Sequence, residues 1–496
     1  MQQTHPPIYF REQIKTLETM AMQEMEVSAY ELMQRAANAA FHWIAQRKND
    51  KTRCLVLVGK GNNGGDGLVF ARRWREVGRD VTVVVTEKDI EWTGAALQAY
   101  QAFIGSGGEV HELMPHQIEL ENYDLIVDAM LGTGIERAVS GTLAAWIDFI
   151  NHSDVIVLAL DTPSGIHPDT GEILGYAVNA DFTVSFIANK TGFFLNDGPN
   201  CVGRLSCDDL GIPQRLFEAI SAPVMRQENG EEQTHYLHSR KRTFHKGDAG
   251  YVLVVGGNSG FSGATVLAGL AALRTGAGLV SVAAHPESVT AIRSAQAELM
   301  VHPIHHASEI EPLFERAAVI IVGPGLGQDT WAQEVLSTVL QANKPLVVDA
   351  DALNLLAKEP HHSQQWVLTP HPGEAARMLN KSTQNIQQDR LHSAHTLQEK
   401  YGGVVVLKGA NSLITTANDV PTVCAEGNPG MATAGMGDVL SGVIGSLIAQ
   451  GIPQLEATKL GVWLHASAGD LAAQDGERGM IASDLLMHLR TLVNPG

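Results

Sequence analysis

Two segments with helical periodicity open the chain, and short apolar runs then alternate with further helical segments. Residues 12–25 and 28–46 predict helices, the second with Ser28 as its N-cap and Glu31 as the capping-box partner. The alternation that follows predicts a mostly parallel sheet covered by helices on both faces. The strands predicted for this half are Cys54–Gly59, Asp80–Thr86, Tyr123–Asp128, Val155–Leu160 and Phe182–Ile187.

The alternation lapses between Ala222 and Asp248, where a polar stretch is followed by a basic run. At 496 residues the chain is too long for one ordinary core. We therefore expect an N-terminal domain (1–225), a linker (226–242) and a C-terminal domain (243–496). The expected fold class is α/β, with two Rossmann-like three-layer α/β/α domains. The strands predicted for the second half are Tyr251–Gly257, Leu279–Ala283, Val319–Val322, Leu346–Asp349, Val367–Thr369 and Val404–Lys408.

Charge and cysteine content narrow the class of protein. The formal net charge of −19 argues against non-specific binding to nucleic acid or to an anionic membrane, although a helix N-terminus can still bind a phosphate locally. The four cysteines show no zinc or CxxC spacing, which fits a reducing cytoplasm. Met1–Phe10 lacks the apolar core of a signal peptide, and Val266–Ala284 is interpreted as a buried helix and strand.

A glycine-rich turn follows the first predicted strand. Residues 59–67 contain GxGxxG, and Glu87 ends the next strand, so a nicotinamide dehydrogenase is one interpretation. Asn62, Asn63 and Asp66 are unusual in a plain dinucleotide turn, because they add polar oxygens that a ligand or cation can use.

Polar residues also follow other strands of the N-terminal half. Asn63, Asp128 and Ser164, together with Asp161, fall at the carboxyl ends of strands, which face the ligand crevice in an open α/β sheet. An amide oxygen, a carboxylate and a hydroxyl form a hard-oxygen cation site. The alternative is that each residue only caps the next helix. Because three loops carrying these polar residues converge at one edge of the sheet, a cation site is favoured over three separate helix caps.

In the C-terminal half, a glycine-rich turn ends at Asp438 and a helix is predicted from Val439 to Ala449. Free N–H groups at a helix N-terminus bind anions, whereas a tight turn that only packs the helix is the alternative. Asp349 and Asp351 follow another strand and suit Mg²⁺ through water, although Asp351 alternatively caps a helix over 352–358. There is no P-loop motif.

Four motifs of the N-terminal half resemble the NAD(P)H-hydrate epimerase domain: Gly61–Gly67, Asp128–Gly134, Leu160–Gly165 and Ala188–Gly192. The resemblance spans residues 10–220 and implies binding of hydrated NADH or NADPH. It also implies a potassium ion held by Asn63, Asp128 and Ser164, with Asp161 as the acid/base at C6. Lys190 is a second polar candidate or, alternatively, a solvated lysine. Substrate contacts would come from Asn62, Asn63, Gly64, Gly65, Asp66, Gly132, Thr133 and Gly134.

Motifs of the C-terminal half resemble the ADP- or ATP-dependent NAD(P)H-hydrate dehydratase domain of the ribokinase-like superfamily. They are Gly323–Gly327, Thr369–Glu374, Leu407–Gly409 and Gly435–Asp438. The resemblance covers residues 235–490 and implies that Asp438 deprotonates the C6 hydroxyl, with Mg²⁺ assisting. Substrate would contact Ala264, Gly327, His371 and Asp438, and the adenine nucleotide would contact Lys408, Gly409, Ala410, Asn411, Ser412 and Gly437.

Together the two resemblances predict a bifunctional nicotinamide-nucleotide repair enzyme. The first alternative is a small-molecule kinase of the thiazole or pyrimidine type with a non-catalytic Rossmann-like module. The second is an N-terminal half that serves only binding or oligomerisation. We expect small-molecule partners, no nucleic-acid or membrane partner, a cytoplasmic location and a homo-oligomer, with the number of subunits left open.

Overall fold

A computed structural model describes residues 7–49, 51–220, 224–228, 230 and 234–494. The chain divides into two units between Met225 and Arg226. Within the predicted linker, positions 229 and 231–233 lie outside the described residues, and the 3₁₀ turn Thr234–Tyr236 lies inside them. Among the described helices, none combines the length and apolar character needed to cross a membrane.

A parallel sheet forms the centre of the N-terminal unit. Its described strands run in the order β4-β3-β2-β5-β6-β7-β9, and β1 pairs separately with β8. In chain order the strands are β1 (Pro7–Tyr9), β2 (Cys54–Val58), β3 (Val81–Val85), β4 (Val110–Glu112), β5 (Leu125–Ala129), β6 (Ile156–Leu160), β7 (Phe182–Phe186), β8 (Asn189–Lys190) and β9 (Arg204–Asp208).

Alternate residues of β2 face opposite sides of this sheet. Val56 packs in one apolar cluster with Trp74, and Leu55 packs in another cluster with Trp146. Ser28 and Glu31 form the predicted capping box. The helices are α1 (Arg11–Glu24), α2 (Ala29–Ala45), α3 (Asn62–Glu76), α4 (Gly94–Gly105), α5 (Gly141–Asn151), α6 (Gly198–Cys201) and α7 (Gln214–Ala219), with 3₁₀ turns at Pro115–Gln117, Leu120–Asn122 and Thr191–Phe193.

The sheet of the C-terminal unit runs in the order β13-β12-β11-β14-β15-β16-β17-β18-β19. Pairing is parallel from β13 to β17 and antiparallel for the last two pairs. Arg226 and Gln227 of β10 add a parallel pairing to β19. The strands are β10 (Met225–Gln227), β11 (Tyr251–Gly256), β12 (Leu279–Ala284), β13 (Met300–Pro303), β14 (Val319–Val322), β15 (Leu346–Val348), β16 (Trp366–Leu368), β17 (Val404–Leu407), β18 (Ser412–Thr415) and β19 (Thr422–Cys424).

One long helix of this unit, Met436–Ala449, contacts an apolar cluster on each of two sides. Val439 and Leu440 of the helix Met436–Ala449 lie in two different core clusters, so this helix is packed between them. The helices are α8 (Ser262–Thr275), α9 (Val289–Ala295), α10 (Glu311–Phe314), α11 (Thr330–Leu340), α12 (Ala350–Lys358), α13 (Pro372–Leu379), α14 (Thr383–Gln388), α15 (Arg390–Tyr401), α16 (Met436–Ala449), α17 (Gln454–Ala472) and α18 (Leu485–Leu492), with 3₁₀ turns at Pro286–Ser288, Ala307–Ile310, Pro429–Met431, Ala473–Asp475 and Ala482–Asp484.

The predicted fold class is confirmed, and three local predictions are wrong. Asn62–Gly67 is the first part of α3 and not a loop, because tight packing against β2 and β5 overrides the low helix propensity of glycine. The helix after Gly435 begins at Met436 and not at Val439. Asp349 occupies the N-cap position of α12, so Asp351 lies inside that helix and does not cap it.

Candidate active sites

Asp128 and Ser164 form a fully buried pair at the carboxyl end of the N-terminal sheet. The Ser164 N–H donates to Asp128 Oδ2 at 2.7 Å, and the Ser164 hydroxyl donates to Oδ1 at 2.6 Å. The Met130 N–H donates to Oδ1 at 3.2 Å. Burial raises the pKa of Asp128 to about 6, and these hydrogen bonds offset part of that rise. Asp128 is therefore a buried carboxylate at neutral pH.

Asn63 joins this pair through the peptide of Leu131. Asn63 Nδ2 donates to the Leu131 carbonyl at 2.8 Å, and the Leu131 N–H donates to Ser164 Oγ at 2.8 Å. Asn63 Oδ1 is buried and has no hydrogen-bond partner among the described residues. The structure thus brings together the three residues expected to bind a cation, and one of their oxygens still lacks a partner.

Asp161 is paired with Lys190 at the ends of the neighbouring strands. The Lys190 ammonium donates to Asp161 Oδ1, to Ser185 Oγ at 2.9 Å and to the Phe186 carbonyl at 3.2 Å. The side chain of Lys190 is 1% exposed and that of Asp161 is 19% exposed. Asp161 has φ of 62°, an uncommon value for an aspartate. Lys190 is therefore a buried partner of Asp161 and not a solvated lysine.

Two further carboxyl groups interact with Asp161. Burial, followed by the charge of Asp161, raises the pKa of Asp66 well above its usual value. The same two causes, in the same order, raise the pKa of Glu18 on α1. Both groups consequently bind a proton more tightly than a solvated carboxyl. The sequence interpretation omitted Glu18, because no motif connects α1 with the strand ends.

The remaining N-terminal residues differ in what surrounds them. Asn62, at the first position of α3, and Gly134 are exposed, while Gly132 and Thr133 are half-buried. A Cβ on Gly64 would stand 1.9 Å from the Gly59 carbonyl oxygen, and one on Gly65 would stand 2.6 Å from Met33 Cε. Close packing against backbone therefore requires glycine at position 64, whereas a side chain at position 65 would require Met33 to move.

Asp438 lies in the first turn of α16, three residues after the N-cap Gly435, which has φ of 90°. Burial, with the charge of Asp349 next in size, raises the pKa of Asp438 to about 7, although Lys408 opposes the shift. A carboxyl group with this pKa exchanges protons efficiently at neutral pH. The N-terminal N–H groups of α16 lie beside it, as anion binding requires.

Lys408 lies between two acidic residues at the same edge of the C-terminal sheet. Its ammonium lies 2.8 Å from Asp349 Oδ1 and 3.9 Å from Glu374 Oε2. Burial opposes its charge, but Asp349 and Glu374 outweigh that effect and raise the pKa of Lys408. Burial raises the pKa of Glu374 to about 7. Asp349 Oδ2 is buried and has no hydrogen-bond partner among the described residues.

His371 is both a helix cap and an exposed side chain at this edge. Its Nδ1 accepts from the Gly373 N–H at 3.0 Å, and its Nε2 lies 3.5 Å from Glu374 Oε1. Burial and the nearby Lys408 lower the pKa of His371, so its ring is neutral at pH 7. Half of the side chain remains exposed. His371 can therefore contact a ligand while it caps α13.

Asp351 and Ala264 bound the glycine-rich turn that follows β14. The Gly327 N–H donates to Asp351 Oδ2 at 2.9 Å. A Cβ on Gly325 would stand 3.3 Å from Ala264 Cβ, which places the half-buried Ala264 against the same turn. The Asp351 carboxylate thus fixes this turn. Of Asp349 and Asp351, Asp349 has the carboxylate oxygen without a hydrogen-bond partner among the described residues.

The two segments expected to bind nucleotide meet at Lys408 and Gly437. A Cβ on Gly437 would stand 2.9 Å from Lys408 Nζ and 3.3 Å from Asp349 Oδ2. Residues 408–412 form the turn between β17 and β18, with Ser412 as the first residue of β18. Arg390, which the sequence interpretation missed, donates to the Ala410 carbonyl from below this turn.

Comparison with known proteins decides the family. A model described as "NAD(P)H-hydrate dehydratase" matches residues 252–491, and one described as "YjeF-related protein N-terminus" matches residues 29–192. The bifunctional NAD(P)H-hydrate repair enzyme of Coxiella burnetii is 45% identical over 98% of this chain and 99% of its own length. The chain belongs to the family of bifunctional NAD(P)H-hydrate repair enzymes.

Further relatives of this repair-enzyme family agree with the match. The enzyme of the same name from Escherichia coli is 42% identical over 98% of this chain and 94% of its own length. A ribokinase-like superfamily protein from Enterococcus faecalis V583 superposes with a TM-score of 0.51 at 29% identity, covering 55% of this chain and 97% of that protein.

Membership of the repair-enzyme family confirms both predicted family resemblances, the enzyme class and the bifunctional character. The Coxiella and Escherichia repair enzymes align along both halves of the chain, which weighs against a non-catalytic N-terminal module and a separate small-molecule kinase.

Proposed function

We propose that the chain interconverts the R and S forms of hydrated NADH and NADPH in its N-terminal unit. We further propose that its C-terminal unit returns the S form to the reduced nucleotide at the expense of ADP or ATP. Support comes from the match to bifunctional repair enzymes over 98% of the chain. The structural observation that carries the second activity is Asp438, whose pKa of about 7 suits a general base at a helix N-terminus.

The proposed dehydration begins when Asp438 takes the proton of the C6 hydroxyl. That oxygen attacks the terminal phosphoryl group of the nucleotide, so an O–P bond forms and the bond to the shortened nucleotide breaks. N–H groups at the start of α16, together with Lys408, stabilise the charge on the transferring phosphoryl group. The ring nitrogen lone pair then expels phosphate from C6, C5 loses a proton, and the 5,6 double bond returns. Phosphorylation is needed because hydroxide leaves poorly.

The free oxygen of Asp349, Oδ2, is the candidate contact for a Mg²⁺ ion in the proposed reaction. This buried carboxylate oxygen has no hydrogen-bond partner among the described residues, whereas Asp351 is engaged by the Gly327 N–H. Asp349 and Glu374 would hold the ion through its water shell. Bound Mg²⁺ would neutralise charge on the nucleotide phosphates. Lys408 already holds the other oxygen of Asp349, which fixes the direction of the free one.

In the proposed epimerase, Asp161 exchanges protons with the hydroxyl and water at C6. The C6 carbon also carries the ring nitrogen, so protonation of the hydroxyl lets the C6–O bond break with help from the nitrogen lone pair. Water then adds to either face and loses its proton to a carboxylate. Lys190 and the Phe186 N–H hold Asp161 in place. Asp66 and Glu18, with raised pKa values, keep protons available beside it.

We propose that Asn63, Asp128 and Ser164 hold potassium. Among the described residues, no donor reaches the buried Asn63 Oδ1, and the hydrogen bonds to the buried Asp128 carboxylate come from neutral groups. A cation bound by these oxygens would satisfy the amide and balance the buried charge. Potassium would thereby fix the Leu131 peptide at the entrance to the 132–138 segment.

One assay tests both activities. Purified protein is mixed with an equal mixture of the R and S epimers of hydrated NADH and either nucleotide, and recovery of the reduced-nicotinamide absorbance is followed. Conversion of all the hydrate requires both activities, and conversion of only half shows dehydration alone. A stable phosphorylated product without recovered absorbance would contradict the proposal and favour a kinase. A homo-oligomer and a cytoplasmic location remain part of the proposal.

A further inference from the structure

Arg390 is a buried guanidinium that contacts backbone carbonyls beneath the Lys408–Ser412 turn. The residue is 5% exposed. It donates to the Ala410 carbonyl, to the Leu407 carbonyl at 3.3 Å and to the Lys408 carbonyl at 3.5 Å. No carboxylate lies within ion-pair distance of it among the described residues. Among the described residues, its hydrogen bonds therefore go to the last residue of β17 and to the turn that follows it.

Engagement of these carbonyls determines where the N–H groups of the turn point. In a trans peptide the carbonyl of one residue and the N–H of the next point in opposite directions. Because the Lys408 carbonyl faces Arg390, the Gly409 N–H points away from Arg390. Gly409 has φ of 147°, and a Cβ there would stand 2.9 Å from Arg390 Nη2. The Arg390 guanidinium therefore occupies space that a side chain at position 409 would need.

Within the part of the chain that the structure describes, the charge of Arg390 also has no carboxylate as an ion-pair partner. Burial lowers its pKa to about 10, so it remains protonated at neutral pH. A buried cation without an anionic partner is unfavourable unless an anion comes close. Phosphates of a nucleotide bound at this turn would supply that anion, because the Lys408 ammonium lies beside Gly437 at the N-terminus of α16.

We propose that Arg390 is a positioning residue for the nucleotide, which shapes the Lys408–Ser412 turn and attracts the phosphates without touching the hydrated nicotinamide. This inference rests on the proposed dehydratase function and adds a residue to its nucleotide site. It predicts that a substitution of Arg390 changes the KM for the nucleotide and not the KM for hydrated NADH.

The test compares Arg390→Gln, Arg390→Lys and Gly409→Ala in the full chain. Arg390→Gln is expected to raise the KM for ADP or ATP about tenfold or more, with less than about a threefold change in the KM for hydrated NADH, because several charge-assisted hydrogen bonds are lost. Arg390→Lys keeps the charge but not the planar fork, so it restores part of the loss. Gly409→Ala is expected to raise the nucleotide KM as well, and the double variant Arg390→Gln/Gly409→Ala to be less than additive.

Arg293→Gln is the matched control. Arg293 also donates its guanidinium to a backbone carbonyl, that of Val301 at 2.8 Å, but at another place in the unit. Its loss should leave both KM values unchanged. Equal increases in both KM values for Arg390→Gln, or an unchanged nucleotide KM, would overturn the proposal. If Arg390→Gln does not fold, the double variant Arg390→Lys/Gly409→Ala replaces it in the test. Additive effects of its two substitutions on the nucleotide KM would then overturn the proposal. Wild-type protein without nucleotide-dependent turnover would refute the dehydratase function and not this inference.

Discussion

The ammonium of Lys408 lies 2.8 Å from one carboxylate oxygen of Asp349, and the second oxygen of that carboxylate has no hydrogen-bond partner among the described residues. That free oxygen lies 3.3 Å from the point that a methyl group on Gly437 would occupy. Lysine, aspartate and the first turn of α16 are therefore arranged around the same space. The pair holds a cationic and an anionic group in place before any ligand enters.

Asp438→Asn should abolish nucleotide-dependent dehydration and leave epimerisation intact. An amide cannot accept the hydroxyl proton, and loss of a general base lowers the rate by about 10²–10⁴-fold. Recovery of reduced-nicotinamide absorbance measures dehydration, and chromatography of the R and S hydrates measures epimerisation. Loss of both activities would mean that the two reactions share a site or that the variant misfolds.

The pH dependence of dehydration should follow the ionisation of Asp438. Its pKa of about 7 means that the base is largely protonated below neutrality. The kcat/KM for hydrated NADH should therefore rise through pH 7 and level off above it. A profile that is flat between pH 5 and 8 would argue against Asp438 as the base.

Asp438→Asn should also change stability in a pH-dependent manner. Because burial and Asp349 raise the pKa of Asp438 in the folded state, its ionisation weakens folding as pH rises from its ordinary value toward 7. Asparagine does not ionise, so the variant should gain stability over wild type at pH 8 and lose that gain at low pH. A gain of about 1 kcal/mol would raise the Tm of the C-terminal unit by about 2–4 °C. A Tm difference that does not vary with pH would contradict this linkage.

Asp161→Asn should lower epimerisation by about 10²–10⁴-fold and leave dehydration of the S form unchanged. Lys190→Met should have a similar effect on epimerisation, because the buried ammonium is the cationic partner of Asp161. Steady-state assays with separated R and S hydrates measure both reactions. Epimerisation retained in Asp161→Asn would remove this residue from the chemistry.

Potassium should accelerate epimerisation alone. Asn63→Ala removes the unpartnered oxygen and should weaken the response of the rate to added potassium. Asn151→Ala is the matched control, because Asn151 also donates to a carbonyl, at 2.8 Å, but its own oxygen is already occupied by the Asn179 N–H. Equal epimerisation rates in potassium and in potassium-free buffer would contradict the cation assignment.

Much of the fold follows from local patterns, and much of the site follows from the position of polar residues after strands. The apolar runs at Cys54 and Tyr251 begin strands as predicted, because buried parallel strands are continuously apolar. Asn63, Asp128 and Ser164 meet because neighbouring parallel strands end at one edge of the sheet.

Other features depend on tertiary packing that local patterns do not encode. The strands β18 and β19 are short, and their antiparallel pairing breaks the strand–helix alternation on which the prediction rested. Glu18 reaches Asp161 only because α1 packs near the strand ends. Arg390 and the turn it supports belong to different elements, and no spacing rule connects them.

The β17–β18 hairpin has a consequence for how nucleotide preference can change. Leu407 pairs with Leu413, so the segment between them is the tip of an antiparallel ladder. A residue gained or lost at this tip alters its reach while the ladder below keeps its register. If this tip holds the nucleotide as proposed, a change in tip length alone would alter the length of polyphosphate that fits, with the rest of the sheet left as it is.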